Sequence, residues 1–184
     1  MLSIAIQPIA VPRNVTRLPD AAAVALDDGA LRNALEAQHL ESYGWALSCC
    51  RRRPDEAENV LQLVYLKVLS GKAVFDGRSS FKTWLFAVIR KTAAHEYRME
   101  LLRRLRLSQI PKAVEAQPPG GQQGVEIRLK QALEKLPARQ REVLQLVFYH
   151  DLSIVEAAKV MGVGIGSART HYERGKKQMR RRLA

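Results

Sequence analysis

The chain has 184 residues, with 30 Lys or Arg against 18 Asp or Glu, for a net charge of +12. Its apolar content of 47% is ample for a packed core, which excludes a disordered basic tail, and its length allows one domain or two small ones. Two adjacent cysteines, Cys49 and Cys50, exclude a disulfide framework and point to a reducing compartment, the cytoplasm. No apolar run approaches the ~18 residues of a membrane span. The apolar opening Leu2–Val11 lacks a basic flank and is interrupted at Pro8, so a signal peptide is not expected.

Residues 1–29 carry Pro8, Pro12, Pro19 and Gly29 with little periodicity and read as a loose N-terminal extension. The first helical signal runs from Ala30 to His39, with Leu31 and Leu35 one turn apart. A second, Leu40 to Cys50, places Leu40, Tyr43 and Leu47 on one side before Arg51-Arg52-Arg53-Pro54 stops it. A third opens at Asp55, a candidate cap with Glu58 placed to bond back. Its stripe of Ala57, Val60, Leu61, Val64, Tyr65, Val68 and Leu69 keeps strict helical spacing until Gly71 ends it.

The polar loop Asp76-Gly77-Arg78-Ser79-Ser80 follows, and Ser80 can cap a fourth helix. There Phe81, Trp84, Leu85, Val88 and Ile89 form the apolar stripe, while Lys82, Arg90, Lys91, His95 and Arg98 form a positive face. The spacing of Phe81 and Trp84 favours core packing. Phe86 lies off the stripe and is expected to be exposed. Residues 104–124, with Pro111, Pro118-Pro119 and Gly120-Gly121, read as a linker.

Beyond it the pattern predicts helices at Val125–Leu136, Pro137–Tyr149, Ile154–Met161 and Ile165–Arg182, with Pro137 at a first helical position. Residues 127–184 hold 13 Lys or Arg and 5 Asp or Glu, so positive charge gathers at this end. Ser153-Ile154-Val155-Glu156 is a capping box, Gly162 permits a left-handed turn, and Gly164 can cap the next helix. In that last helix Ala168, Tyr172, Gly175 and Met179 should face inward. Ser167, Arg169, Thr170, Glu173, Arg174 and Lys177 should face outward, where a major groove would lie.

The whole is an all-α chain of two small bundles, the second a helix-turn-helix ending in a basic tail. A solvated basic face on an ordinary helix pair is the bland alternative; capping box, turn glycines and charge together favour DNA. Arg169 and Arg174 can each read guanine bidentately, and Thr170 and His171 can contact bases or phosphates. Lys176, Lys177 and Arg180 to Arg182 suit the phosphate backbone. Cys49, Cys50 and His39 match no zinc spacing, so buried structural thiols are expected and no metal or cofactor site. No nucleophile–base pair or phosphate loop stands out, so an enzyme is not expected.

Leu136-Pro137-Ala138-Arg139-Gln140-Arg141-Glu142-Val143-Leu144, then Leu152-Ser153 and the helix-turn-helix, resembles region 4 of bacterial sigma factors. Ala57-Glu58-Asn59-Val60-Leu61-Gln62 and Phe75-Asp76-Gly77-Arg78-Ser79-Ser80-Phe81-Lys82-Thr83-Trp84-Leu85-Phe86 resemble region 2 of the extracytoplasmic-function group. The resemblance implies a sigma-two domain at 30–103, a linker at 104–124 and a sigma-four domain at 125–184. Its implied role is the dissociable subunit that directs core RNA polymerase to promoter DNA, restrained by an anti-sigma factor. No small-molecule substrate and no membrane insertion are implied.

By that resemblance Ser167, Arg169, Thr170, His171, Arg174 and Lys177 would meet the minus-thirty-five element. Gly77, Arg78, Ser79, Ser80, Lys82, Arg90, Lys91 and Arg98 would meet the minus-ten element, where strand opening needs an extruded base and a basic track. Glu58, Asn59 and Gln62, with Lys67 beside them, would face the polymerase. The family commonly has acids where Asn59 and Leu63 stand, Asn where Lys91 stands, and an aromatic or basic residue where Glu173 stands. Alternative readings are a free-standing helix-turn-helix regulator and an interaction adaptor with an incidental basic tail.

Overall fold

The structure, a computed structural model, describes residues 27–106 and 125–183. Among them all regular structure is helical: α1 (Asp28–Ala37), α2 (His39–Cys49), α3 (Pro54–Leu69), α4 (Phe81–Arg106), α5 (Val125–Glu134), α6 (Ala138–Phe148), α7 (Ile154–Met161) and α8 (Ile165–Leu183). The expected N-terminal extension lies outside the described residues up to residue 26, and the expected linker does so from residue 107 to 124.

Local chemistry accounts for most boundaries. Asp27 caps α1, its carboxylate accepting from Ala30 N–H at 2.6 Å. The cap expected at Asp55 is not there: α3 begins one residue earlier, with Pro54 in its first turn and Arg53 as a cap that makes no side-chain bond. Proline needs no N–H partner at that position, and Asp55 and Glu56 instead set negative charge against the positive helix end. Ser80 does cap α4, accepting from Thr83 N–H at 3.2 Å. Pro137 stands just outside α6 as its cap, not inside it. Helix α4 continues to Arg106, past the expected start of the linker, because the first breaker in that stretch is Pro111.

The predicted stripes are largely buried. Ala57, Val60, Leu61, Val64 and Val68 of α3 meet Leu85 and Ile89 of α4 and Trp45 and Ala46 of α2. Leu40 is a miss: it is 84% exposed, because α2 turns Ser42, Trp45 and Ala46 inward. Leu69 is also exposed. Phe75, Phe81 and Trp84 make a half-buried aromatic cluster with ring centroids 5.4–5.5 Å apart beneath the Asp76–Ser80 loop.

Phe86 corrects the expectation outright: it is fully buried. Its ring stacks on Trp45 at 5.7 Å, and Trp45 Nε1–H donates to its carbonyl at 3.0 Å. The side of α4 that looked outward is covered by the second bundle. One continuous core joins Trp45, Leu85, Phe86 and Ile89 to Val143, Leu146, Leu152, Ala157, Val160 and Met161. The burial of each Val, Leu, Ile, Met or Phe among them contributes roughly 1.5–3 kcal/mol, so the two bundles hold one another.

Candidate nucleic-acid interface

Helices α7 and α8 form the helix-turn-helix. The capping box is complete: Ser153 Oγ accepts from Glu156 N–H at 3.2 Å, and Glu156 accepts from Ser153 N–H at 2.9 Å. Gly162 ends α7 in the left-handed region at φ 65°. Gly175 lets α8 cross α6 closely, since a Cβ there would lie 3.0 Å from Leu144 Cδ1 and 3.3 Å from the Gln140 carbonyl. With Ala168, Gly175 and Met179 buried and Tyr172 half-buried, register is fixed.

That register exposes Ser167, Arg169, Thr170, Glu173, Arg174 and Lys177, with His171 half-exposed. Thr170 Oγ1 donates to the Gly166 carbonyl at 2.9 Å, so its hydroxyl is held along the helix. Glu173 pairs with Lys176 at 3.9 Å rather than with Arg169 or Lys177. Lys176 also lies over the Tyr172 ring, 4.9 Å from its centroid. Two arginines and a lysine thus stand on one solvent-facing strip beside the basic tail Arg180-Arg181-Arg182.

The first bundle treats its expected residues differently. Gly77 turns the loop at φ 73°. Arg78 N–H donates to Asp76 Oδ1 at 3.2 Å, while its guanidinium meets the same carboxylate at 3.3 Å. Ser79 Oγ donates to the Ser80 carbonyl at 3.2 Å, and Ser80 Oγ is spent on capping. Lys82 pairs with Glu41 and Arg90 with Glu142. Lys91 and Arg98 remain exposed. The expected polymerase-facing residues Glu58, Asn59 and Gln62 share the exposed side of α3, whereas Lys67 turns to donate to Thr92 Oγ1 at 3.1 Å.

Four residues of the second bundle enter this surface unforeseen. Glu142 reaches Arg90, Glu156 Oε1 accepts from Thr83 Oγ1 at 3.3 Å, and Lys159 Nζ donates to the Arg78 carbonyl at 3.1 Å. His150 seats its ring edge-on to Phe86 at 4.9 Å and Trp45 at 5.7 Å. Burial, with help from the Lys82 charge, pushes its pKa down to about 4. Burial works to raise the Glu156 carboxyl, but the bonds from Ser153 and Thr83 and the Lys159 charge outweigh it and lower it. No sequence signal pairs residues fifty to eighty positions apart.

Burial pushes both thiols up, Cys49 well above its ordinary value and Cys50 to about 11, so neither is a thiolate at neutral pH. His39 Nδ1 lies 3.0 Å from the Tyr65 hydroxyl, away from any metal grouping among the described residues.

Comparison with known proteins places this geometry. The family model Sigma-70 region 2 matches residues 36–101, and Sigma-70 region 4 matches residues 126–179. The ECF RNA polymerase sigma factor SigX of Bacillus subtilis (strain 168) is 30% identical over 143 residues, covering 70% of this chain and 71% of its own. The ECF RNA polymerase sigma factor SigF of Caulobacter vibrioides (strain NA1000 / CB15N) is 30% identical over 131 residues, covering 71% and 72%. The chain belongs to the extracytoplasmic-function sigma factors.

It is therefore an alternative sigma factor, a class that directs transcription by RNA polymerase and is not, as a group, enzymatic. Its fold is that of the sigma factor RpoE solved with the anti-sigma factor NepR from Bartonella quintana: TM-score 0.67, 23% identity, covering 83% of this chain and 95% of that one. CnrH, solved with the cytosolic domain of CnrY, has the same fold at TM-score 0.60 and 20% identity, covering 85% and 89%. No helix among the described residues of this sigma factor is long and apolar enough to cross a membrane.

Proposed function

We propose that this sigma factor divides its work between its two bundles, 30–103 and 125–184, with 104–124 as the tether. Helix α8 enters the major groove of the minus-thirty-five element. Arg169 and Arg174 read base edges there, Ser167, Thr170 and His171 contact bases or phosphates, and Lys177 holds the backbone. The observation that carries this reading is the solvent-facing strip of α8, set by a complete capping box and the buried Ala168–Gly175–Met179 face.

The loop Gly77, Arg78, Ser79 and Ser80, with Lys82, Arg90, Lys91 and Arg98 of α4, receives the opened minus-ten strand. Gly77 offers close backbone approach and the cations a track for phosphates. Since Ser80 Oγ caps α4, base reading in the loop falls to Ser79 and to backbone groups. Lys91, at a position where the resemblance implies that Asn is common, can hold a phosphate but cannot both donate to and accept from a base. Core polymerase docks on Glu58, Asn59 and Gln62 of α3, with less charge assistance than relatives having acids at the positions of Asn59 and Leu63.

Partners are core RNA polymerase, promoter DNA and an anti-sigma factor, as RpoE was solved with the anti-sigma factor NepR. The chain works in the cytoplasm without cofactor, metal, small-molecule substrate or membrane insertion, and catalysis belongs to the polymerase. Run-off transcription with core polymerase tests this. Transcripts from defined start sites that require the chain are expected. Tight duplex binding without initiation would favour a free-standing regulator instead.

A further inference from the structure

We infer that Glu173 is a base-reading residue of α8, one that accepts a hydrogen bond from the exocyclic amine of a cytosine and so fixes one position of the minus-thirty-five element. The inference rests on the reading of α8 as the helix that enters that groove. What singles Glu173 out is an acid set in the middle of a cationic face. The buried Ala168, Gly175 and Met179 define the inward direction of α8. At about 100° per residue, Thr170, Glu173, Arg174 and Lys177 all fall within about 60° of the opposite direction, and all four are exposed.

The helix itself makes little use of this carboxylate. Arg169 and Lys177 each lie four residues away, yet Glu173 pairs with Lys176, at 3.9 Å, with its own side chain 63% exposed. The Lys176 ammonium is drawn aside over the Tyr172 ring, 4.9 Å from the centroid. An ion pair so long and so open to water adds almost nothing to stability, so support of α8 does not account for the acid. Its oxygens remain available to a partner that approaches the outward face.

Duplex DNA selects what that partner can be. The two phosphate strands, with one charge per about 1.7 Å of axis, repel a carboxylate that finds no donor. Arg169, Arg174 and Lys177 are donors only, whereas Glu173 accepts only. In the major groove the amines are cytosine N4 and adenine N6; guanine O6 and N7 and thymine O4 are acceptors and repel it. Adenine also sets its N7 acceptor beside the amine, against the second carboxylate oxygen, while cytosine sets a C–H there. Glu173 therefore favours cytosine and works as much by excluding guanine and thymine as by attraction. Its Cα is about 3.8 Å from that of Arg174, against about 3.4 Å per base step. The cytosine accordingly belongs to the base pair whose guanine Arg174 reads, or to the next one.

Glu173→Gln tests this, because glutamine keeps the length and exchanges cytosine N4 for the N6 and N7 of adenine. Duplex promoters with randomised upstream DNA are selected for initiation by core polymerase with the full-length chain. Wild type is set against Glu173→Gln, Lys176→Gln and Arg174→Ala. Wild type should select cytosine at one position at or beside the guanine that depends on Arg174. In Glu173→Gln that position should move to adenine, with a roughly tenfold loss on the wild-type element. Binding to scrambled duplex should instead strengthen roughly twofold, since a repelling charge is gone. Lys176→Gln removes the ion pair but keeps the carboxylate, and should retain the cytosine. An unaltered base preference in Glu173→Gln, beside a changed one in Arg174→Ala, would overturn the role of Glu173 and leave the reading of α8 intact. Equal losses on all sequences, or the same shift in Lys176→Gln, would also overturn it. If Arg174→Ala leaves the upstream element unchanged as well, the reading of α8 fails and takes this assignment with it.

Discussion

Helices α4 and α8 are both half apolar and half basic, yet they present their charge in opposite ways. On α8 Arg169, Arg174 and Lys177 stand toward solvent, because Gly175 and Ala168 press the other side onto α6 and α7. On α4 Lys82 and Arg90 are already paired with Glu41 and Glu142, while Lys91 and Arg98 stand out. A basic face in a sequence is thus a capacity, and its availability is set by whichever acids the tertiary fold brings to it. The contrast separates a basic face left open to solvent from one whose cations are partly taken up by acids of the same chain.

The largest effect on this contrast should come from Trp45→Ala. It removes the ring that bridges Phe86 and His150, and a loss of ~3–5 kcal/mol in denaturant unfolding is expected. A loss confined to the first bundle, with α8 unaffected, would contradict a shared core. Gly175→Val should cost about 1–3 kcal/mol by wedging α8 away from Leu144, and should abolish duplex binding before it affects α4. Arg174→Ala should relax discrimination at one minus-thirty-five position by ~1–3 kcal/mol, while Lys177→Ala should weaken all sequences evenly and flatten the salt slope. Equal losses from both variants on cognate and scrambled sites would refute that division. Ser153→Ala should cost ~1 kcal/mol through the lost cap, with a further loosening of Glu156 from Thr83.

The smallest effect near neutrality is acid sensitivity. The His150 pKa is lowered from 6.5 to about 4, by burial first and then by Lys82, against the opposing pull of Glu41 and Asp151. A depressed value means that the neutral ring's contribution is complete above about pH 6.5 and is lost as pH falls toward about 4. Hydrogen exchange at the Trp45–Phe86 contact should therefore accelerate over that window in wild type and much less in His150→Phe. Matching pH profiles for the two proteins would contradict this role of His150.

Much of this was legible beforehand because it is local. The α3 stripe, the Ser153–Glu156 box, the Gly162 turn and the outward strip of α8 each follow from residues within one or two turns of each other. The misses share a different cause. Phe86 was expected at the surface because its own helix leaves it off the stripe, and only the distant His150 and Trp45 explain its burial. Leu40 matched a helical spacing but faces outward, since the weak amphipathicity of α2 leaves its inward side to be decided by neighbours. Asp55 lies inside α3 and does not cap it, because Pro54, whose fixed φ suits a first helical position, starts the helix with Arg53 as its cap. Arg90 belongs to the positive face of α4, and nothing in the sequence points to Glu142 as its partner.

The most direct test of the central claim is initiation by core polymerase and this chain on a library with randomised upstream DNA. Two enriched elements at fixed spacing are expected, with Arg174→Ala altering only the upstream one. Enrichment of a single duplex element, or transcripts that do not depend on the chain, would contradict the division of labour between α8 and α4.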